Sequence, residues 1–365
     1  MPTAPPRALI RRLYTALLRR RGYADPPWGI DFLLTDACNL RCSYCPIWGD
    51  DAISPSPVAF VDTAAALRFV EDVARFRPMI RLFGGEAFLH PEWPTIVAGA
   101  RDAGLYCTAV TNGLRIERDA EILVRSGLLA VGVSLDADGA ANDAARGAGT
   151  TARVRAGLRA LEQAKERLGS ATPQVEIYTT VHEGNYGRLA EWADELTSWH
   201  IDALRLQHLI WYSPSQLGDS LELLREVLPD PAFFRPEEAS FARDRVPAID
   251  LVLLADQLRK LRRGRYPFRL VIHPDLSPEE MVRYYGDNEF RRRSQRACTT
   301  MESYAFVDPR GRLYPCMTLD MGNVFETPFL ELWNAPRFRA FRRLIRREGR
   351  LPLCHRCPDQ PPEDD

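Results

Sequence analysis

The chain has 365 residues, 45% of them hydrophobic and 27% charged, with a formal net charge of −1. That length carries one large domain or two ordinary ones around a sizeable core, and the near-balanced charge sets up no global field that would draw nucleic acid, so no nucleic-acid partner is expected. No apolar run reaches the roughly 18–20 residues of a membrane-spanning helix, and the start lacks the uninterrupted apolar stretch of a secretory signal.

Residues 1–28 predict a basic amphipathic helix. Leu9, Ile10, Leu13, Tyr14, Leu17 and Leu18 recur at helical spacing among arginines 7, 11, 12, 19, 20 and 21. Such a helix either docks on the main domain or lies on a membrane surface. From Gly29 to Trp211 short apolar runs alternate with longer amphipathic ones. Strands are predicted over 30–35, 79–85, 105–111, 129–135, 174–181 and 201–210, and helices over 61–76, 93–103, 117–126, 150–168 and 187–198. Six strand–helix units argue for parallel strands with helical crossovers. They are too few for a closed eight-fold barrel, so the predicted fold class is α/β, a partial (β/α)6 barrel resembling a TIM barrel but open. After Trp211 the rhythm breaks at "SPSQLGDS" and at Pro229, Pro231 and Pro236, before a helix over 248–263 and a strand over 268–274. We read 212–296 as a linker or helical bridging region. Residues 297–365 then form a small cysteine-rich α+β domain, with a hairpin over 304–316 turning at Asp308, Pro309, Arg310 and Gly311 and a helix over 328–347. Its arginines (337, 339, 342, 343, 346, 347 and 350) read as a solvated helix face.

Eight cysteines stand at 38, 42, 45, 107, 298, 316, 354 and 357. With no export signal the expected compartment is the reducing cytoplasm, where clustered thiols indicate metal or redox chemistry before disulfides. Cys38, Cys42 and Cys45 crowd one loop just after the first strand, at the end of a parallel barrel where active sites form. A cubane cluster has four irons, so three thiolates leave one iron for a non-protein ligand; a zinc loop is the rival reading. Cys298, Cys316, Cys354 and Cys357 supply a closed four-thiolate set, and by spacing alone zinc and a fully ligated cluster are equally good occupants. Cys107, on the third strand, reads as a small buried residue or a hydrogen-atom donor. His182 and His208 fall at the ends of strands five and six, where they are candidates for proton transfer to substrate. Arg205 is a candidate for gripping a substrate carboxylate or phosphate, with pairing to a nearby acid as the alternative.

Cys38-x3-Cys42-x-Tyr44-Cys45 resembles the signature of the radical S-adenosylmethionine (SAM) superfamily, and the chain is similar to that family over about 30–211. "FGGEAFLHP", with Gly84, Gly85 and Glu86, "TNG", with Asn112, and "SLD", with Ser134 and Asp136, follow successive strands in the family's order. The resemblance implies that Cys38, Cys42 and Cys45 hold a [4Fe–4S] cluster whose open iron binds SAM. It further implies that Tyr44, Gly84, Gly85, Glu86, Asn112, Ser134 and Asp136 help hold SAM. One-electron cleavage of SAM then yields a 5′-deoxyadenosyl radical that abstracts hydrogen from an unactivated C–H bond. "VDPRGRLYPC", "MGNVFETPFLELWN" and "LCHRCP" resemble the SPASM/twitch extension of that family, which implies a second, auxiliary [4Fe–4S] cluster on Cys298, Cys316, Cys354 and Cys357. A low-potential electron donor such as flavodoxin or ferredoxin is the implied partner. Family members with this extension often modify peptides gripped by an N-terminal module. The 37 residues before Cys38 are too few for one, which favours a small molecule, sugar or lipid-linked substrate over a ribosomally made peptide. The basic N-terminal helix adds weight to a lipid-linked substrate and to peripheral membrane contact. A zinc-binding interaction protein is the non-enzyme alternative.

Overall fold

The computed structural model describes residues 18–49, 57–228, 236–293, 296–316 and 319–359. Strand β1 (Gly29–Thr35) shows how its sheet is built. Ile30, Phe32 and Leu34 are fully buried on one face, so alternation turns Asp31, Leu33 and Thr35 to the other. Strands β2 (Met79–Gly84), β3 (Cys107–Thr111), β4 (Ala130–Ser134), β5 (Gln174–Val181) and β6 (Ala203–His208) follow, each parallel to its predecessor. Between them run α1 (Thr63–Ala74), α2 (Trp93–Asp102), α3 (Ile116–Ser126), α4 (Gly139–Arg146), α5 (Thr150–Leu168) and α6 (Leu189–Leu196). Their apolar stripes, such as Phe69, Val70 and Val73 of α1, pack on the buried strand face and form the main core. The sheet's other face lines a lumen.

The sheet does not stop at six strands. After α7 (Pro214–Arg225) and α8 (Leu251–Arg263), β7 (Arg269–His273) adds in parallel to β6. Helix α9 (Pro278–Gly286) follows, and then β8 (Tyr304–Val307) pairs in parallel with the free edge of β1, with β9 (Leu313–Tyr314) antiparallel beyond it. The order is β7-β6-β5-β4-β3-β2-β1-β8-β9, a partial barrel whose first and last strands do not meet. The stretch 212–296, expected as a linker, therefore supplies a barrel strand, and the hairpin of the expected C-terminal domain is continuous with the barrel sheet.

The helix expected over 328–347 is two helices, α10 (Phe329–Trp333) and α11 (Pro336–Glu348), because Pro336 cannot continue a preceding turn and starts a new one instead. Nor is the α11 arginine set uniformly solvated. Arg342 is fully buried over the rings of Trp333 and Phe338 and donates to the carbonyls of Met301, Gly22 and Trp333. Most of the helix expected over 1–28 lies outside the described residues. The described part, from residue 18, is strapped to the C-terminal region: Trp333 Nε1 donates to Asp25 O, and Asn334 exchanges hydrogen bonds with Ala24. Among the described residues no helix is long and apolar enough to cross a membrane.

Candidate active site

The three-cysteine loop leaves the C-terminal end of β1 and is tied down on all sides. Thr35 Oγ1 donates to Ala59 O at 2.7 Å and accepts from Ala37 N at 3.0 Å. Trp48 Nε1 donates to Asp36 O at 2.8 Å, and Ser43 N donates to Ala145 O of α4 at 2.9 Å. Inside the loop Cys45 N donates to Cys42 O, and Cys45 Sγ accepts from Trp48 N at 3.3 Å. All three thiols are free and half-buried. Burial pushes the Cys38 thiol up and the Cys42 thiol up to about 11; Cys38 also feels Glu86 and Cys45, and Cys42 feels both Cys45 and Cys38. Among the described residues no three Cys, His, Asp or Glu side chains converge tightly enough for a single metal ion. A cubane cluster spreads its thiolates over separate irons, so three thiols on one loop would leave its fourth iron without a protein ligand.

Gly84 and Gly85 let the cysteine loop approach closely. A Cβ on Gly85 would lie 2.3 Å from Ala37 O and 2.4 Å from Asp36 O, and one on Gly84 (φ +136°) 2.3 Å from Thr35 O. Gly85 N and Glu86 N donate to Thr35 O and Ala37 O, zipping the two loops together. The Glu86 carboxylate is buried and accepts from Thr111 Oγ1 (2.7 Å), Asn112 N (2.6 Å) and Phe88 N (3.1 Å). Burial raises its pKa while these donors oppose the rise. The Asn112 side chain in turn donates to Asn39 Oδ1 in the cysteine loop at 2.7 Å. Glu86 thus braces the Thr111–Gly113 turn through three protein donors, two on Oε1 and one on Oε2.

Asp136, just past β4, is likewise spent on protein partners. Arg146 holds both its oxygens (2.8 and 3.0 Å), Tyr44 Oη donates to Oδ2 at 2.5 Å and Thr180 N to Oδ1 at 2.9 Å. Burial works against the charged carboxylate, but Arg146 prevails and holds its pKa far below the usual range. Tyr44, between two of the cysteines, is thereby pinned to the barrel wall. His182 stacks on the Tyr44 ring at 4.9 Å, and its Nε2 stops 3.6 Å from Asp136 Oδ2 with no hydrogen-bond partner. Ser134 ends β4 half-buried on the lumen face. Cavities of about 580 and 370 Å³ open beside this cluster. Both are lined by Ser43, Tyr44, Glu183 and Arg243, the smaller also by His182.

Two of the three expected substrate residues are elsewhere. His208 is one residue out of phase with Arg205 and Gln207 and faces the helices, where its Nδ1 meets Tyr285 Oη at 2.7 Å in complete burial; proton transfer to a substrate in the lumen is closed to it. Arg205 is on the lumen face, yet its guanidinium is paired with Glu176 (2.6 and 3.0 Å), which Arg269 also contacts. A second fork, Arg81 on Asp31 (2.6 and 2.5 Å) with Tyr304 Oη at 2.6 Å, completes a charged layer across the lower lumen. Cys107 is buried on the helix side of β3, its thiol pushed up to about 12 by burial, which is the small-core-residue reading. Of the three, His182 alone stands beside the cysteine loop.

The second cysteine set gathers below the barrel. Cys298 N donates to Gly349 O, and Cys357 N to Cys354 O. Burial raises the Cys354 and Cys357 thiols strongly. Cys354 also feels Cys316 and Cys298, while Cys357 feels Asp359, Cys354 and Cys298. All four thiols are free and partly buried, a set whose number suits a site closed by protein thiolates. Arg356, between the last two, is buried over Trp211 at 4.0 Å and donates to the carbonyls of Tyr284, Asn288 and Asp287, fixing the C-x2-C turn against α9 and the residues after it. Asp359, two residues past Cys357, lies within electrostatic reach of Arg81 and Asp31 of the charged layer.

Sequence reasoning missed Arg146, Glu176 and Arg356. Arg146 carries a faint signal, a lone arginine following Ala144 and Ala145 on a short helix of small residues. Glu176 on β5 breaks an otherwise apolar alternation at a lumen position.

The family model for the radical SAM superfamily matches residues 32–178, and that for an iron–sulfur cluster-binding domain, SPASM, matches 298–358. The chain is 27% identical over 319 residues to the pre-heme d1 synthase of Dinoroseobacter shibae, covering 83% of this chain and 72% of that one. It is 26% identical over 340 residues to the AdoMet-dependent heme synthase of Methanosarcina barkeri, covering 90% and 89%. The crystal structure of Streptococcus suis SuiB bound to S-adenosylmethionine superposes with a TM-score of 0.63 at 14% identity, over 92% of this chain and 72% of that one, a likeness of fold alone.

Proposed function

Because the chain belongs to the radical SAM superfamily and carries its SPASM-type C-terminal domain, making it an enzyme that uses SAM and [4Fe–4S] clusters, we propose that it abstracts hydrogen from a small-molecule substrate bound over the cysteine loop. The observation that carries this reading is the roughly 580 Å³ cavity walled by Ser43, Tyr44 and Cys45, a size typical of small-ligand sites. The names of the relatives, heme and pre-heme d1 synthases, point the same way. The likeness to SuiB brings no peptide substrate with it.

When bound, SAM on the open iron supplies a one-electron cleavage and the hydrogen abstraction that follows, fed by a low-potential flavodoxin or ferredoxin. The remaining work belongs to the chain. Cys38, Cys42 and Cys45 hold the first cluster, and Cys298, Cys316, Cys354 and Cys357 the auxiliary one. Glu86 and Asp136 are positioning residues: Glu86 orders the Asn112 turn beside the cluster loop, and Asp136 with Arg146 clamps Tyr44. Ser134, Asn112 and the backbone of Gly84 and Gly85 line the cofactor's side of the site. His182 lines the smaller cavity, its Nε2 buried 3.6 Å from Asp136 Oδ2, and is the residue we assign to proton exchange with substrate.

The test uses extract from cells grown on deuterated medium, separated by ultrafiltration and offered to the reconstituted enzyme with SAM and reductant. Deuterium is expected in 5′-deoxyadenosine from the small-molecule fraction, unaffected by protease treatment. Label that comes only from the macromolecular fraction, or disappears on proteolysis, would establish the peptide-maturase reading instead.

A further inference from the structure

Asp36 is almost wholly buried two residues before Cys38, and a buried carboxylate requires a partner. Its partner comes from the far end of the chain. Arg310, at the turn between β8 and β9, places Nη1 2.6 Å from Asp36 Oδ2, and its Nη2 donates to Pro57 O. Asp36 precedes the cysteines and Pro57 follows them, so one guanidinium grips both ends of the segment that carries Cys38, Cys42 and Cys45. The other contact on Asp36 Oδ2, from Ala59 N, is long at 3.4 Å. The turn that presents Arg310 is itself stiff. Asp308 Oδ1 accepts from both Arg310 N and Arg312 N at 2.9 Å, and Asp308 Oδ2 accepts from Tyr314 Oη at 3.1 Å. Two residues past Tyr314 is Cys316 of the second cysteine set. One short hairpin thus carries an auxiliary thiol at its foot and the clamp on the first cysteine loop at its tip.

We propose that Arg310 is a positioning residue for the SAM-cluster loop, holding its two ends together from the C-terminal hairpin. The proposal rests on the assignment of Cys38, Cys42 and Cys45 to that cluster, but its test does not. Hydrogen exchange is measured by mass spectrometry on the full-length, cluster-free protein. In Arg310→Ala, amides in 34–37 and 57–61, among them Asp36 N and Val61 N, which pair across the loop's base, should exchange on the order of tenfold faster, while peptides from β4 to β6 keep their rates. Arg310→Lys, which keeps the charge but loses the fork, should fall between. If Arg310→Ala loosens the whole chain, Asp36→Asn decides: local loosening confined to the loop base supports the clamp, and unchanged exchange there overturns it. Wild-type exchange in 34–37 and 57–61 of a folded Arg310→Ala protein also overturns it, reducing Arg310 to a surface contact. In reconstituted protein the same variant should lose iron from the first site and its SAM-dependent electron paramagnetic resonance signal, while retaining the auxiliary cluster. Failure to cleave SAM in the wild type would sink the assignment of the cluster without touching the exchange result.

Discussion

Asp136 illustrates how much a single side chain's type leaves unsaid. Its position after β4 was legible in "SLD", because the strand pattern fixes where the lumen ends. Its partners were not: Arg146, Tyr44 and Thr180 come from three other elements, and nothing in residue identity separates a carboxylate awaiting a ligand from one already satisfied. Glu86 repeats the lesson. Since Arg146 is buried with Asp136, Asp136→Asn should leave an uncompensated charge and cost roughly 3–5 kcal/mol of stability, read by chemical denaturation; a change near zero would show the pair to be marginal. Gly85 makes a purely steric case, with no positive φ to excuse it. Gly85→Ala must displace the carbonyls of Asp36 or Ala37, and should destabilise by about 1–3 kcal/mol and lower the iron bound by the first site. Full iron loading in that variant would mean the two loops can part freely.

At the scale of elements, periodicity carried the reading of the barrel. β1 to β6 and five of the helices between them fall within a few residues of their predicted spans because each strand has one buried face, whereas α4, the short helix that carries Arg146, was not predicted. The same alternation already placed His208 opposite Arg205 and Gln207, and reading its parity would have removed it from the substrate list. Pairings over long separations left no such trace: β8 lies about 270 residues from β1, and β7 sits inside a stretch rich in loops. His208 now makes a different prediction for the β6–α9 contact. Burial lowers its pKa from 6.5 to about 3, so the folded state holds the ring neutral. Between those values the unfolded chain binds the extra proton, and stability contributed above pH 6.5 is lost as pH falls toward 3. One such proton gives a slope of at most about 1.4 kcal/mol per pH unit. Denaturation midpoints of His208→Gln should therefore decline less between pH 7 and pH 4 than those of the wild type; parallel declines would refute this.

For the whole molecule, the continuity of the sheet means that the C-terminal region is structural as well as cluster-bearing. Deleting residues 298–358 strips β8 from β1 and exposes an apolar strand edge, so the truncated chain should elute as aggregate in size-exclusion chromatography, and a monodisperse monomer would show that the barrel is complete without it. The account as a whole depends on a first cluster with three protein thiolates and an iron left for SAM. Anaerobic reconstitution should give about eight irons per chain, and SAM should shift the electron paramagnetic resonance signal of one reduced cluster only. The decisive measurement repeats this with Cys38, Cys42 and Cys45 all replaced by alanine. The account predicts about four irons, a spectrum indifferent to SAM, and no 5′-deoxyadenosine; SAM cleavage persisting in that variant would contradict it.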